Sequence, residues 1–455
     1  MTIRPFPLAI ALVLSATRTS AQTPARDTVQ LGALQAGALE HDPRARELSD
    51  RLPSGDTTTT HDPRARELSL VAAQSQLRQR TLDAERRPSL SVESQAQYQS
   101  DVARIPITLP GVPVPPHDTY DARLVAQQRL YDPTLASRRS VEDAQLAESQ
   151  SRLRSTLFAV RQNVNDLFFA ALRTQSQLAE LATTITDLEA QLQVAEARVR
   201  EGQALPSEAL TLRAELLRRR QSVNELNAAR RAALETLADL TGKSLDTLVV
   251  LAEPGEGAAV GRARAGMAAL RTRPEYEQFA RSRELLQRQE DARGTQDRPS
   301  VLAYGRAGYG RPGLNPLSDQ FDRYWLAGVQ LQWKPWTWGT TDRDREVLAL
   351  QRQVVAQEEQ QFTESLRRGV TQDLASIDRL AGIVSSDDEI VSLRERIAAE
   401  TRARYAEGVV TSAEYVDKDT DVLSARISRA LHRVELAQAR THFLTTLGLE
   451  VSNGQ

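Results

Sequence analysis

The chain has no cysteine among its 455 residues. That excludes disulfides, thiolate metal sites, a cysteine nucleophile and a lipid anchor on an N-terminal cysteine. Lysine is nearly absent as well, at positions 243, 334 and 418 only, so arginine carries the positive charge. With 58 basic against 60 acidic residues the formal net charge is -2, which offers no basic excess for a nucleic-acid partner. Beyond residue 16 no run of 18 apolar residues occurs, so no helix is expected to span a bilayer. If the chain enters a membrane, it does so as a barrel. The sequence also lacks GxxxxGK[ST], GxSxG and HExxH. No catalytic constellation is visible, so an enzyme, a cofactor and a metal site are not expected.

Helix breakers are scarce in two stretches of 68 residues. Thr134 to Glu201 contains neither Gly nor Pro, and Thr340 to Glu407 contains no Pro and only Gly369 and Gly382. Each stretch closes on a similar phrase, Ala197-Arg198-Val199-Arg200-Glu201-Gly202 and, 206 residues later, Ala403-Arg404-Tyr405-Ala406-Glu407-Gly408. An acid follows each glycine by six positions, Glu208 and Glu414. Arg87-Pro88-Ser89 is echoed by Arg298-Pro299-Ser300, 211 residues on. The chain therefore reads as a duplicated unit of roughly 200 residues, each with paired strands followed by a long helical hairpin.

The first long helix carries a 3-4 apolar spacing from Leu153 to Val199, broken only at Thr174. Such a 3.5-residue period implies a left-handed coiled partner helix. At 1.5 Å per residue the helix would span about 100 Å. Gly202 supplies a left-handed cap, and Pro206-Ser207 opens the return arm, which ends near Thr241. In the second unit Gly408 turns the chain, Thr411-Ser412 offer caps, and the return arm runs to Leu447. Gly369 and Gly382 lower helix propensity in the second outgoing arm and read as kink or packing sites.

Four stretches alternate with period two. Leu90, Val92, Ala96 and Tyr98 form one apolar face; Tyr120, Ala122, Leu124, Ala126 and Leu130 a second. Val301, Ala303, Ala307 and Tyr309 form the third, and Trp325, Ala327, Val329, Leu331 and Trp333 the fourth. Each stretch is about ten residues, the length of a tilted transmembrane strand with a lipid face and a wet face. All four tryptophans fall between Trp325 and Trp338, and an aromatic belt is expected from Tyr98, Tyr120, Tyr131, Trp325, Trp333 and Trp336. The proline-rich segment Ile105 to Pro116 and the segment Gly310 to Phe321 read as exposed loops.

Arg4, the apolar run Leu8 to Ala16 and the small residues Thr19-Ser20-Ala21 read as a secretory signal peptide cleaved before Gln22. His41 to Ser49 recurs residue for residue at His61 to Ser69. Two histidines with carboxylates invite a metal reading, but the spacing follows from the duplication and no third ligand is placed. His432 and His442, ten apart on a helix, do not share a face and form no site.

With these features in place, the chain resembles the TolC-like outer membrane efflux proteins over most of its length, in two copies. The resemblance rests on the Arg-Pro-Ser strand openings, on Asp166-Leu167-Phe168-Phe169-Ala170-Ala171-Leu172, and on the two Glu-Gly tip turns. Asp42-Pro43-Arg44, Leu240-Thr241-Gly242 and Leu447-Gly448 also match. It implies a mainly α fold with a membrane β-barrel part, assembling as a trimeric channel-tunnel in the bacterial outer membrane, with its helices in the periplasm. Four strands are too few to close a barrel, which agrees with a homotrimer. It further implies outer membrane lipid around the barrel, a periplasmic adaptor, and an inner-membrane pump of RND, ABC or MFS type. It implies a periplasmic gate at Tyr405, Glu414, Asp417, Ser207 and Glu208. It places adaptor contacts at the tips, at Gly202, Gln203, Ala204, Leu205, Gly408, Val409, Val410 and Thr411. Val410 stands where the family's archetype carries an arginine. A periplasmic adaptor is the alternative, but it would have one hairpin flanked by β-rich lipoyl-like segments.

The expected organisation is a signal peptide (1–21), N-terminal periplasmic helices (22–87), a first strand pair (88–131), a first hairpin (132–242) and a connector with short helices (243–298). A second strand pair (299–336), a second hairpin (337–448) and a tail (449–455) follow.

Overall fold

A computed structural model describes residues 28–42, 67–102, 115–265, 272–315 and 318–449. The signal peptide, nearly all of the duplicated nonapeptide, most of the proline-rich loop and all but one residue of the tail lie outside them. The elements run β1 (Thr28–Val29), α1 (Leu31–His41), α2 (Glu67–Ala84), β2 (Ser89–Tyr98), β3 (Asp118–Tyr131), α3 (Thr134–Arg200) and α4 (Pro206–Thr241). Then come β4 (Val250–Leu251), α5 (Gly257–Ala265), α6 (Pro274–Thr295), β5 (Ser300–Arg311), β6 (Asp322–Gln332), α7 (Thr340–Ala406) and α8 (Ser412–Thr446).

The two 67-residue helices α3 and α7 begin where the breaker-poor stretches begin. Each ends in a Schellman turn. Gly202 (φ 75°) and Gly408 (φ 76°) take the left-handed conformation. Gln203 N–H then reaches Arg198 O at 2.8 Å, and Val409 N–H reaches Arg404 O at 2.9 Å. A Cβ at either glycine would meet nothing within 4 Å, so it is the dihedral angle, not crowding, that calls for glycine. α7 continues through Gly369 and Gly382 without a break. A Cβ at Gly382 would touch nothing, and one at Gly369 would make an ordinary 3.9 Å contact with Thr446. Close packing therefore does not explain either glycine. Thr174, the one break in the apolar spacing, turns its hydroxyl back to Ala171 O (2.8 Å).

α3 packs against α4 and α7 against α8, giving two antiparallel hairpins, and α6 lies between α3 and α7. The main core gathers Leu31 and Leu34 of α1, Phe168 and Phe169 of α3, Leu234 and Leu237 of α4, Leu251 and Val434. Phe168 and Phe169 are fully buried and meet edge to face at 5.4 Å, which is what the Leu-Phe-Phe run of α3 does. A buried polar chain crosses this body: Gln35 donates to Asn165 (2.5 Å), and Asn165 donates to Thr445 (3.1 Å). β1 pairs in parallel with β4, tying the start of the described chain to the connector. Arg273 ties the connector to both long helices, stacked on the rings of Phe158 in α3 (4.8 Å) and Phe362 in α7 (5.4 Å).

The other sheet has four antiparallel strands in the order β2-β3-β5-β6. It stands at one end of the molecule: α2, α3, α6 and α7 all join its lower edge, while both strand-to-strand loops lie at the opposite edge. In a single chain the sheet is open, with β2 and β6 as unpaired edges.

Candidate functional site

The register of the sheet lines up the four alternating patterns on one surface. Val92 faces Leu124, Leu124 faces Ala307, and Ala307 faces Trp325. One row further on, Leu90, Ala126, Gly305 and Ala327 stand abreast. A β-bulge between Arg129 and Tyr131 shifts the end of β3, so that Tyr131 meets Val301. The result is a continuous apolar surface on which Leu90, Val92, Val329 and Leu331 are all at least 64% exposed. A sheet face this apolar and this exposed must be covered by another apolar medium.

The opposite face is polar and tightly organised. Arg123 bridges Glu93 (2.7 Å) and Asp121 (3.1 Å), and Tyr324 donates to Asp121 (2.5 Å). Tyr304 lies over Gly328 and Tyr324 over Gly308. A Cβ at either glycine would come within 2.8 Å of the tyrosine, so the missing side chains make room for the rings. These two tyrosines thus sit on the polar face, away from Trp325. Val125, Leu302 and Leu326 are apolar exceptions there, and Val125 is fully buried opposite Arg306.

All six residues of the expected aromatic belt are exposed. Five of them separate into two levels, and Trp325 lies between these, in the row of Val92, Leu124 and Ala307. Tyr98 and Tyr120 lie at the loop edge, where Tyr120 and Tyr309 stack on Phe321. Tyr131, Trp333 and Trp336 lie at the helix edge, joined by Trp338, which the sequence reading left out of the belt.

At the far end of the hairpins the structure brings together part of the expected gate. Tyr405 is buried and stacks on Tyr415 with centroids 5.2 Å apart, among Leu188, Ala195, Leu212 and Leu216 of the first hairpin. Burial raises the Tyr405 phenol, and the nearby Glu208 carboxylate raises it further. Burial pushes Tyr415 up to about 12. Val410 joins this cluster as an apolar contact. Ser207, Glu414 and Asp417 are exposed. Glu414 receives the Thr411 cap through its N–H (3.3 Å), and Asp417 accepts from Lys418 (2.7 Å). Of the tip residues, Gln203, Leu205 and Val409 are exposed and Ala204 is partly covered.

Three groups absent from the sequence reading complete the tip. Tyr415 is one. Arg198 is the second; it donates to Ala406 O (2.8 Å) and Tyr405 O (3.4 Å), setting a cation against the C-terminal end of α7. The third is the buried Arg219, which joins Glu215 (2.9 Å) to Asp419 (2.7 Å) across the two hairpins. Only the Tyr405–Tyr415 spacing could have been read beforehand; the arginine links depend on how the hairpins dock. The histidines fall into separate clasps between α7 and α8, His432 on Asp387 (2.6 Å) and His442 on Asp373 (3.0 Å). His41, from the duplicated nonapeptide, lies against Gly242. Among the described residues no group of three potential ligands could hold a metal ion.

This combination of a strand sheet at one end and two long hairpins is a fold found in solved outer membrane proteins. The chain matches CusC with a TM-score of 0.63 at 15% identity, covering 92% of each chain. It matches the Vibrio cholerae outer membrane protein VceC with a TM-score of 0.60 at 14% identity, over 93% of this chain and 97% of that one. The open state of the Neisseria gonorrhoeae MtrE outer membrane channel gives 0.60 at 15% identity, over 93% and 89%. No family model and no curated protein matches the sequence. The likeness read from the tip turns and strand openings therefore holds as a shared fold over more than nine-tenths of the chain.

Proposed function

We propose that the protein is the passive exit duct of an efflux or type I secretion system in the bacterial outer membrane. The observation that carries this is the exposed apolar face running across four strands that stand on two helical hairpins whose long arms are about 100 Å each. Three copies of the four-stranded sheet would make twelve strands, enough to close a barrel and remove the free edges of β2 and β6. Along β3, Tyr120 and Tyr131 are eleven residues apart, about 37 Å of strand. At a tilt of roughly 40° this is about 29 Å of depth, matching a hydrocarbon core between two aromatic levels.

Below the barrel, three pairs of hairpins would form a tube. Its tips carry the gate, with Tyr405 and Glu208 inside the packing and Asp417, Glu414 and Ser207 exposed towards an opening. The exposed Leu205 and Val409 are suited to an adaptor's helical hairpin, which would connect the duct to an inner-membrane pump. No catalytic step belongs to the chain itself.

Fractionation tests this reading. The protein is expected in the outer membrane as an oligomer that survives detergent and falls apart on heating. Recovery as a soluble periplasmic monomer would refute it.

A further inference from the structure

The lower edge of the sheet, where strands give way to helices, concentrates cations that nothing in the fold uses. Arg86 and Arg87 precede β2, Arg298 precedes β5 and Lys334 follows β6. All four are exposed, and none of their side chains has a hydrogen-bond or ion-pair partner among the described residues. With strands about 4.8 Å apart, β2 to β6 span about 15 Å across the sheet, and Arg86 and Arg87 stand higher along it than Arg298 and Lys334, because Ser89 is level with Gln127 and Tyr304. The neighbouring arginines differ: Arg129 and Arg138 are both engaged by Glu85. The acids next to them in the chain are Glu85, beside Arg86 but already bound to Arg129 and Arg138, Asp297, beside Arg298, and Asp342, in the first turn of α7 where the helix terminus offsets its charge.

Beside these cations stands an aromatic turn built to project. Trp336 and Trp338 are 73% and 80% exposed and meet edge to face at 5.6 Å. Trp338 has φ 54°, a conformation that a bulky residue adopts only when its surroundings impose it. Arg343 imposes it by donating to Trp338 O (3.1 Å), and Thr340 closes the turn on Thr337 O (2.9 Å). Rings that face water in a single chain, held there by a strained and bonded turn, sit where an apolar layer meets a polar one.

We infer that this edge is a binding collar for anionic phosphate headgroups of the membrane leaflet nearest the helices. Trp333, Trp336 and Trp338 enter the acyl boundary, while Arg86, Arg87, Arg298 and Lys334 meet the phosphates. The inference rests on the barrel reading above. It adds a preference for lipid charge that the barrel alone does not require, since an apolar face is indifferent to headgroups.

The tryptophans provide the probe. In a Trp325→Phe background the three remaining tryptophans, 333, 336 and 338, all lie at this edge. The full-length oligomer is placed in nanodiscs, and quenching is compared between brominated phosphatidylglycerol and brominated phosphatidylcholine. The collar requires the anionic lipid to be preferred, and the preference to fall about fivefold for each of Arg87→Gln, Arg298→Gln and Lys334→Gln. Lys334→Arg, which keeps the charge, should retain it. Equal quenching by the two lipids, or a preference surviving when Arg86, Arg87, Arg298 and Lys334 are all changed to Gln, would overturn the collar. Displacement of phosphatidylglycerol by excess inorganic phosphate would also overturn it, by showing a free-anion site. If neither lipid quenches, the rings are not in a bilayer, and the barrel reading falls together with the collar.

Discussion

Glu256 is a carboxylate with nowhere to put its charge. It is 1% exposed, and neither of its oxygens has a hydrogen-bond partner among the described residues. Burial raises its pKa above the usual 4.5. A raised carboxyl favours the folded state while it stays protonated, and the cost grows as pH rises through the usual value. Glu256→Gln, which removes the charge at constant shape, should therefore stabilise the chain by about 1–3 kcal/mol at pH 8 and have little effect at pH 4. Thermal unfolding at the two pH values checks this. His442 gives the same sign of pH dependence for a different reason. Its hydrogen bond to Asp373 raises it above 6.5 against the opposing effect of burial, helped by the charges of Asp373 and Asp166. That stabilisation is complete below pH 6.5 and disappears as pH climbs through the raised folded value. Unfolding of the wild type should show a small loss of stability between pH 6 and pH 8 that His442→Gln lacks. An unchanged pH dependence in the variant would mean that the Asp373 contact is merely an exposed pair.

At the scale of the elements, the sheet has two faces with different tolerances. Leu124→Arg or Val329→Arg, on the apolar surface, should cost about 2–4 kcal/mol in a bilayer. Gln330→Arg, on the other face, should cost little; refolding into vesicles under denaturant would separate them. Arg123→Leu is not a neutral control, because it strands Glu93 and Asp121. These elements were legible in the sequence for simple reasons. Period two assigns a face to every strand residue, and a 68-residue stretch with few breakers followed by glycine leaves little choice of helix ends. What was not legible depends on neighbours distant in sequence. β1 and β4 are two residues each and carry no periodicity. Val125 breaks the polar alternation because it is buried against the next strand, and Tyr304 and Tyr324 cover glycines on strands that only the register brings opposite them. At the tip, Tyr405 and Glu208 could be placed by position, whereas Arg198 and Arg219 act between hairpins, which no local pattern reports.

For the whole molecule, the proposed duct would complete the exposed apolar sheet, its two unpaired edges and the two long hairpins in a closed assembly. Threefold symmetry would repeat Asp417 and Glu414 around one opening, and like charges at close quarters attract cations. The Asp417→Ala, Glu414→Ala double variant should lose cation preference; unchanged selectivity would assign these acids to a solvated face. The most direct test of the duct is single-channel recording of the purified full-length oligomer in planar bilayers. A duct gives discrete, long-lived conductance steps that rise when Tyr405→Phe and Arg219→Gln loosen the tip. Bilayers that stay silent with an intact, inserted oligomer, wild type and variant alike, would contradict it.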